Sequence, residues 1–201
     1  MKKFNTEQRA TLQTLANDLN TTPFEWLKGR TYSEAFVICI GAGPWKFERR
    51  KKIQGEALRR LEKRDLADLK PAVKWYPLSW QNDFVNNMIK NLSINNLTMN
   101  KLCCKLACSH CTKPELAREY IFNFAGCPKG SKVLSLFCRD GIGIPSFPID
   151  RHVKRFLVKY NLPTNEGKMI KLCQELELDP CKIAIGCVRA SSNMDNPDWS
   201  I

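Results

Sequence analysis

Apolar residues recur at the period of an α-helix along most of the chain, which therefore reads mainly as helices. Residues 5–19 show that period, and Thr21-Thr22-Pro23 supplies an N-cap followed by Pro in the first turn of a short helix. Residues 46–69 are rich in Lys, Arg, Glu and Leu and predict a helix, either continuous or broken at Gly55. Pro71 and Pro77 frame a connector to a helix over 79–91. Asn-rich turns and a Cys-rich stretch to residue 111 follow, then a helix from Pro114 to Phe124 with Pro in its first turn. Beyond Asp150, Val153, Phe156, Leu157 and Tyr160 fall at helical spacing, another helix is expected near 165–177, and Pro180 opens the last. There is no internal repeat, no low-complexity tract and no linker longer than a turn, so the expected fold class is all-α.

A chain of 201 residues can bury one sizeable core or two small lobes. Charge adds a partner to that picture. Lys and Arg number 32 against 20 Asp and Glu, giving +12 and a pI near 9.3, which points to an anionic partner, nucleic acid first. A solvated basic surface without a ligand is the alternative. No stretch is long and apolar enough to span a bilayer, and Met-Lys-Lys-Phe-Asn-Thr-Glu-Gln lacks the apolar core of a signal peptide. The expected location is cytoplasmic or nucleoid. Ten cysteines raise the competing idea of a secreted disulfide scaffold, but such scaffolds are much shorter and poorer in apolar residues. Most of the thiols are expected to be reduced, with Cys39 and Cys138, in apolar runs, in the core.

The densest chemistry lies in residues 126–153, which run Gly-Cys-Pro128-Lys129-Gly130-Ser131-Lys132, then a helix, a loop through Pro145, and Ile149-Asp150-Arg151-His152-Val153. An amine and a carboxylate beside a backbone turn able to grip phosphate are the parts needed for chemistry at a deoxyribose C1′. This segment resembles the helix-hairpin-helix-GPD superfamily of DNA base-excision glycosylases. Members with lyase activity have a hairpin ending in Gly-x-Lys, a helix, a Pro-containing loop, and a hydrophobic residue before an Asp that opens the next helix. The resemblance implies two helical lobes with the active site in the cleft between them. The terminal segments would share one lobe and the middle would form the other. The helix-hairpin-helix would cover about 114–140, and the Asp helix about 149–160. One departure is Pro128, where the endonuclease III branch has the first hairpin glycine. Proline can neither take a positive φ nor donate a backbone N–H, so this hairpin must turn differently.

The resemblance further implies a likeness to archaeal 8-oxoguanine glycosylases, acting as a monomer on double-stranded DNA that carries a damaged base. Lys132 would be the Schiff-base nucleophile; it must lose its proton to attack, and burial between lobes would favour that. Asp150 would stabilise oxocarbenium character or activate the nucleophile, while helix capping is its purely structural role. Backbone N–H groups at Lys129, Gly130 and Ser131 would face phosphate, and Arg151 and His152 would make phosphate or structural contacts. A monovalent cation at the hairpin is compatible with the family. No other cofactor and no metal site are assigned.

A base taken out of the stack needs an aromatic pocket. Of Trp26, Trp45, Trp75, Trp80 and Trp199, the last lies in a polar tail with Asp195 four residues before it, one helical turn away. That pair resembles the pocket element of the archaeal enzymes and makes 8-oxoguanine the first substrate choice, with Trp45 as a second wall.

Three motifs point elsewhere. Gly41-Ala-Gly43 after an apolar run resembles a dinucleotide-binding turn, but Lys46 stands where the third glycine belongs. Cys104, Cys108 and Cys111 have radical-SAM spacing, and with Cys103 and His110 they could instead hold zinc; unligated thiols are the expectation. Cys173, Cys181 and Cys187 are too few for an iron-sulfur cluster, and none is expected. A non-catalytic hairpin module, a redox enzyme, and a glycosylase for another base remain the competing functions.

Overall fold

A computed structural model describes residues 6–17, 27–71, 74–109, 113–127 and 130–192; among them there are helices and turns and no strand. In chain order the helices are α1 (Thr6–Asn17), α2 (Tyr32–Gly41), α3 (Phe47–Leu61), α4 (Ser79–Ile94), α5 (Met99–Ser109) and α6 (Pro114–Phe124). Then come α7 (Lys132–Leu136), which widens into a π-helical segment Phe137–Ile142, and α8 (Arg151–Lys159), α9 (Glu166–Glu175) and α10 (Pro180–Ser192). The chain forms two units, one made of residues 24–144 and the other of residues 1–23 with 145–201.

In the continuous unit, α2 is apolar on every side and is accordingly buried, with α3, α4, α5, α7 and the π-helical segment packed around it. Its start is fixed by a capping box: Thr31 Oγ1 accepts from the Glu34 N–H at 3.2 Å while Glu34 Oε2 accepts from the Thr31 N–H at 2.9 Å. Its far end is the harder problem, because the last carbonyls of a buried helix have neither an intrahelical partner nor water. Side chains from the surrounding shell supply donors. Gln54 Nε2 reaches the Ile38 carbonyl at 2.8 Å, Gln81 Nε2 the Ile40 carbonyl at 2.6 Å, and the Tyr76 hydroxyl the Val37 carbonyl.

The charged stretch after residue 46 behaves differently from its composition. Gly55 does not break α3; the helix stops at Leu61, where Glu62 and Lys63 adopt left-handed φ of 51° and 60°. That turn brings Leu66 into the core. Asp65 then accepts from the Ala67 N–H at 2.9 Å and the Met99 N–H at 3.0 Å, tying the turn to the start of α5. The Cys-rich stretch is itself helix α5.

The discontinuous unit joins the two ends of the chain. Leu12 of α1 packs with Val153, Phe156 and Leu157 of α8, Met169 and Leu172 of α9, and Ile183 of α10. Gln8 Nε2 donates to the Asn161 carbonyl at 2.6 Å, holding α1 to the turn after α8. The helix expected after Thr21-Thr22-Pro23 lies outside the described residues.

Candidate functional site

The Lys132 side is built by α4, α6 and Gly130. Helix α6 ends where Asn91 Nδ2 donates to the Phe124 carbonyl at 2.8 Å and Asn87 Nδ2 to the Ala125 carbonyl at 3.4 Å, so α4 holds the chain as it turns. Gly130 has φ +75°, and a Cβ there would lie 2.7 Å from the Phe122 ring; both the dihedral and the close approach require glycine. Its N–H donates to the Cys127 carbonyl at 2.8 Å, so of the three amides expected to face phosphate this one is engaged inside the turn. Ser131 is the N-cap of α7, with Oγ accepting from the Leu134 N–H at 3.3 Å, and Lys132 is the first helical residue, half-buried. Pro128 and Lys129 lie outside the described residues.

Asp150 belongs to the other unit. After Gly143 (φ 86°) the chain runs irregularly to residue 150, pinned where the Phe147 N–H donates to Glu166 Oε1 at 2.8 Å and the Phe147 ring enters the core. Asp150 caps α8: its Oδ1 accepts from both the His152 and Val153 N–H groups at 2.9 Å. Arg151 is exposed, and its Nε donates to His152 Nε2 at 3.1 Å. Structural capping is thus seen directly, and Lys132 and Asp150 each begin a helix, one in each unit.

Trp45 sits at the edge of the continuous unit's core, half-buried, with the Arg49 guanidinium 4.5 Å above its ring. Its Nε1 and Gln81 Oε1 are buried without a hydrogen-bond partner among the described residues. A Cβ on Gly43 would lie 2.9 Å from that Nε1, so Gly43 keeps room beside the indole. Trp26, Asp195 and Trp199 lie outside the described residues, so the tail pair has no structural account. Gly41 is the last residue of an α-helix and packs on Gln54 and Tyr76, which rules out a strand-to-helix dinucleotide turn there.

The sequence reading missed the buried pair Arg139–Asp140. Arg139 Nε lies 2.6 Å from Asp140 Oδ1 and Nη2 lies 2.9 Å from Oδ2, a two-pronged bond between adjacent residues in the π-helical segment that follows α7. Burial, with the Asp140 carboxylate nearby, holds the Cys39 thiol well above its ordinary range. Cys103 also faces the core, with its thiol raised by burial, whereas Cys104 and Cys108 are exposed one turn apart. Cys103 therefore points away from its neighbours, and among the described residues no cluster of ligating side chains forms; His110 and Cys111 lie outside them. Cys173, Cys181 and Cys187 are buried thiols in the discontinuous unit, Cys173 pushed up to about 12 by burial. No helix among the described residues is long and apolar enough to cross a membrane. Set against protein-family models, characterised proteins and solved structures, the chain matches none of them.

Proposed function

We propose that this chain is a bifunctional DNA glycosylase of the helix-hairpin-helix-GPD type that removes an oxidised purine, 8-oxoguanine first, from double-stranded DNA and then nicks the strand. One observation carries the reading. Lys132 is the first residue of a helix directly after a left-handed glycine and a Ser cap, and Asp150 caps the helix that follows a Pro-containing loop. This is the order of parts that the resemblance requires, in a basic all-helical chain.

In the proposed reaction the neutral Lys132 Nζ attacks C1′. The N–C1′ bond forms as the glycosidic bond breaks, and the base leaves with the bonding electrons and takes up a proton. Loss of the proton on nitrogen and opening of the sugar give a protonated imine. Removal of a C2′ proton then expels the 3′ phosphate by β-elimination. The Asp150 carboxylate stabilises the cationic character at C1′ or accepts the proton from Lys132. The Ser131 amide and Lys129, with Arg151 and His152, would hold phosphates, and Trp45, Asp195 and Trp199 would receive the flipped base. None of these steps calls for a metal or an organic cofactor; a monovalent cation at the hairpin would act only on phosphate.

The test is incubation with duplexes carrying 8-oxoguanine, uracil, thymine glycol or an abasic site, followed by borohydride trapping. A covalent adduct with the 8-oxoguanine duplex is expected. Shifted DNA with no excision of any base would replace the enzyme by a non-catalytic binding module.

A further inference from the structure

Between Lys46 and Arg64 the chain carries nine Lys or Arg against three Glu, an excess that is half of its formal +12. Nearly all of this stretch is helix α3, whose inward face is Ile53, Ala57 and Leu61. Lys51, Lys52, Arg59 and Arg60 are exposed, and Phe47 beside them is exposed with the Lys51 ammonium 4.2 Å from its ring centre. Glu48 and Glu56 stand four residues from Lys52 and Arg60, the spacing that favours ion pairs on a helix. Yet among the described residues Lys52, Arg59 and Arg60 make no ion pair.

Three further features make α3 a poor helix in isolation. Its N-cap is Lys46, which provides no side-chain acceptor. Arg49 and Arg50 follow Glu48 close to the positive end of the helix dipole, where cations are unfavourable. Gly55 sits mid-helix at a cost of about 1 kcal/mol relative to Ala, and apart from its chain neighbours and the adjacent helix backbone no atom lies within 4 Å of where its Cβ would be. Nothing inside the protein requires that glycine. An anionic chain lying along the outer face would offset the cations and use the bare surface at Gly55 for close approach.

We infer that the outward face of α3, with Lys51, Lys52, Gly55, Arg59 and Arg60, is a binding surface for the phosphate backbone of duplex DNA, separate from the residue 126–132 turn. The inference rests on the DNA reading above and adds a second surface to it. At about 1.5 Å per residue the helix is long enough to follow several phosphates. A membrane surface fits less well, because a helix that lies on lipid needs its apolar face, and here that face is buried in the unit.

The experiment compares wild type, the quadruple variant Lys51→Gln/Lys52→Gln/Arg59→Gln/Arg60→Gln and the single variant Gly55→Glu, each checked by circular dichroism. Binding to an undamaged duplex is followed by fluorescence anisotropy from low to moderate salt. Each lost phosphate contact should flatten the slope of log affinity against log salt by about 0.9, so the quadruple variant should lose roughly two to four in slope and at least about tenfold in affinity near 100 mM salt. Gly55→Glu places an anion in the middle of the face where there is open space, and should weaken binding without loss of helix; it decides the matter if the quadruple variant does not fold. An unchanged slope overturns the inference, as does vesicle binding that depends on these cations while duplex binding does not. If the wild type excises 8-oxoguanine and the slope is unmoved, only this inference falls. If it excises nothing but the slope moves, only the enzyme reading falls.

Discussion

Asp150 combines a visible structural job with a proposed chemical one, and two substitutions separate them. In Asp150→Asn the side-chain oxygen that accepts from the His152 and Val153 N–H groups survives, and what is lost is the attraction of a negative charge for the helix N-terminus. That loss is about 0.3–1 kcal/mol, which for a chain of this size lowers Tm by about 1–4 °C. In Asp150→Ala the two amides also lose their acceptor, a further cost of about 1 kcal/mol, so its Tm should lie several degrees lower again. The chemistry should not follow that order. If the carboxylate stabilises charge at C1′, both variants lose the same interaction, and excision should fall by about 100- to 1,000-fold in each. Calorimetry gives the stabilities, and single-turnover excision from an 8-oxoguanine duplex, with enzyme in excess, gives the rates. An Asn variant within a few-fold of wild type, with only the Ala variant impaired, would make capping the sole function of Asp150 and refute the proposed role.

Lys132→Gln should abolish borohydride trapping while duplex binding stays nearly unchanged, because one charge is a small part of +12; surviving adducts would move the nucleophile elsewhere. Arg139→Ala should remove the two-pronged bond from the buried Asp140 carboxylate and cost about 3–5 kcal/mol, read by denaturant melts; a loss under about 1 kcal/mol would show that this bond is not what holds the π-helical segment. Deleting residues 194–201 should cripple 8-oxoguanine excision far more than cleavage at a preformed abasic site, and equal losses on both would remove the tail from base recognition. Burial raises the Cys173 thiol from 9.0 to about 12, so its contribution is fully present below pH 9 and is lost as pH rises from there towards 12. Tm should fall over that window, and less steeply in Cys173→Ala; identical alkaline profiles would contradict this.

Local chemistry was legible where a single residue type announces a boundary. Pro114 marks the start of α6, and Asp150 followed by an apolar helical stripe marks α8. The stretch after residue 46 was overextended because Lys, Arg, Glu and Leu favour helix beyond Leu61 as well as before it. What ends α3 is a tertiary demand, the burial of Leu66, that no local propensity carries. Gly55 reads as a breaker because composition does not say whether anything packs on it. Arg139 and Asp140 were invisible for a similar reason: adjacent opposite charges read as surface, and only the π-helical widening after α7 turns both inward. The engagement of the Gly130 N–H was also unreadable, since a bond back to the Cys127 carbonyl is set by the backbone path and not by a residue type.

The way the discontinuous unit is assembled sets an order on biosynthesis. Helix α1 leaves the ribosome before the rest of its unit, and Leu12 meets the side chains of α8, α9 and α10 only after residues 24–144 have been made. At the usual pace of synthesis that interval is on the order of ten seconds or more. Before it ends, residues 24–144 have been made as one contiguous stretch that holds its own core partners. The nascent chain can therefore complete its middle first, while α1 waits as a tethered amphipathic segment for the C-terminal helices to close around it.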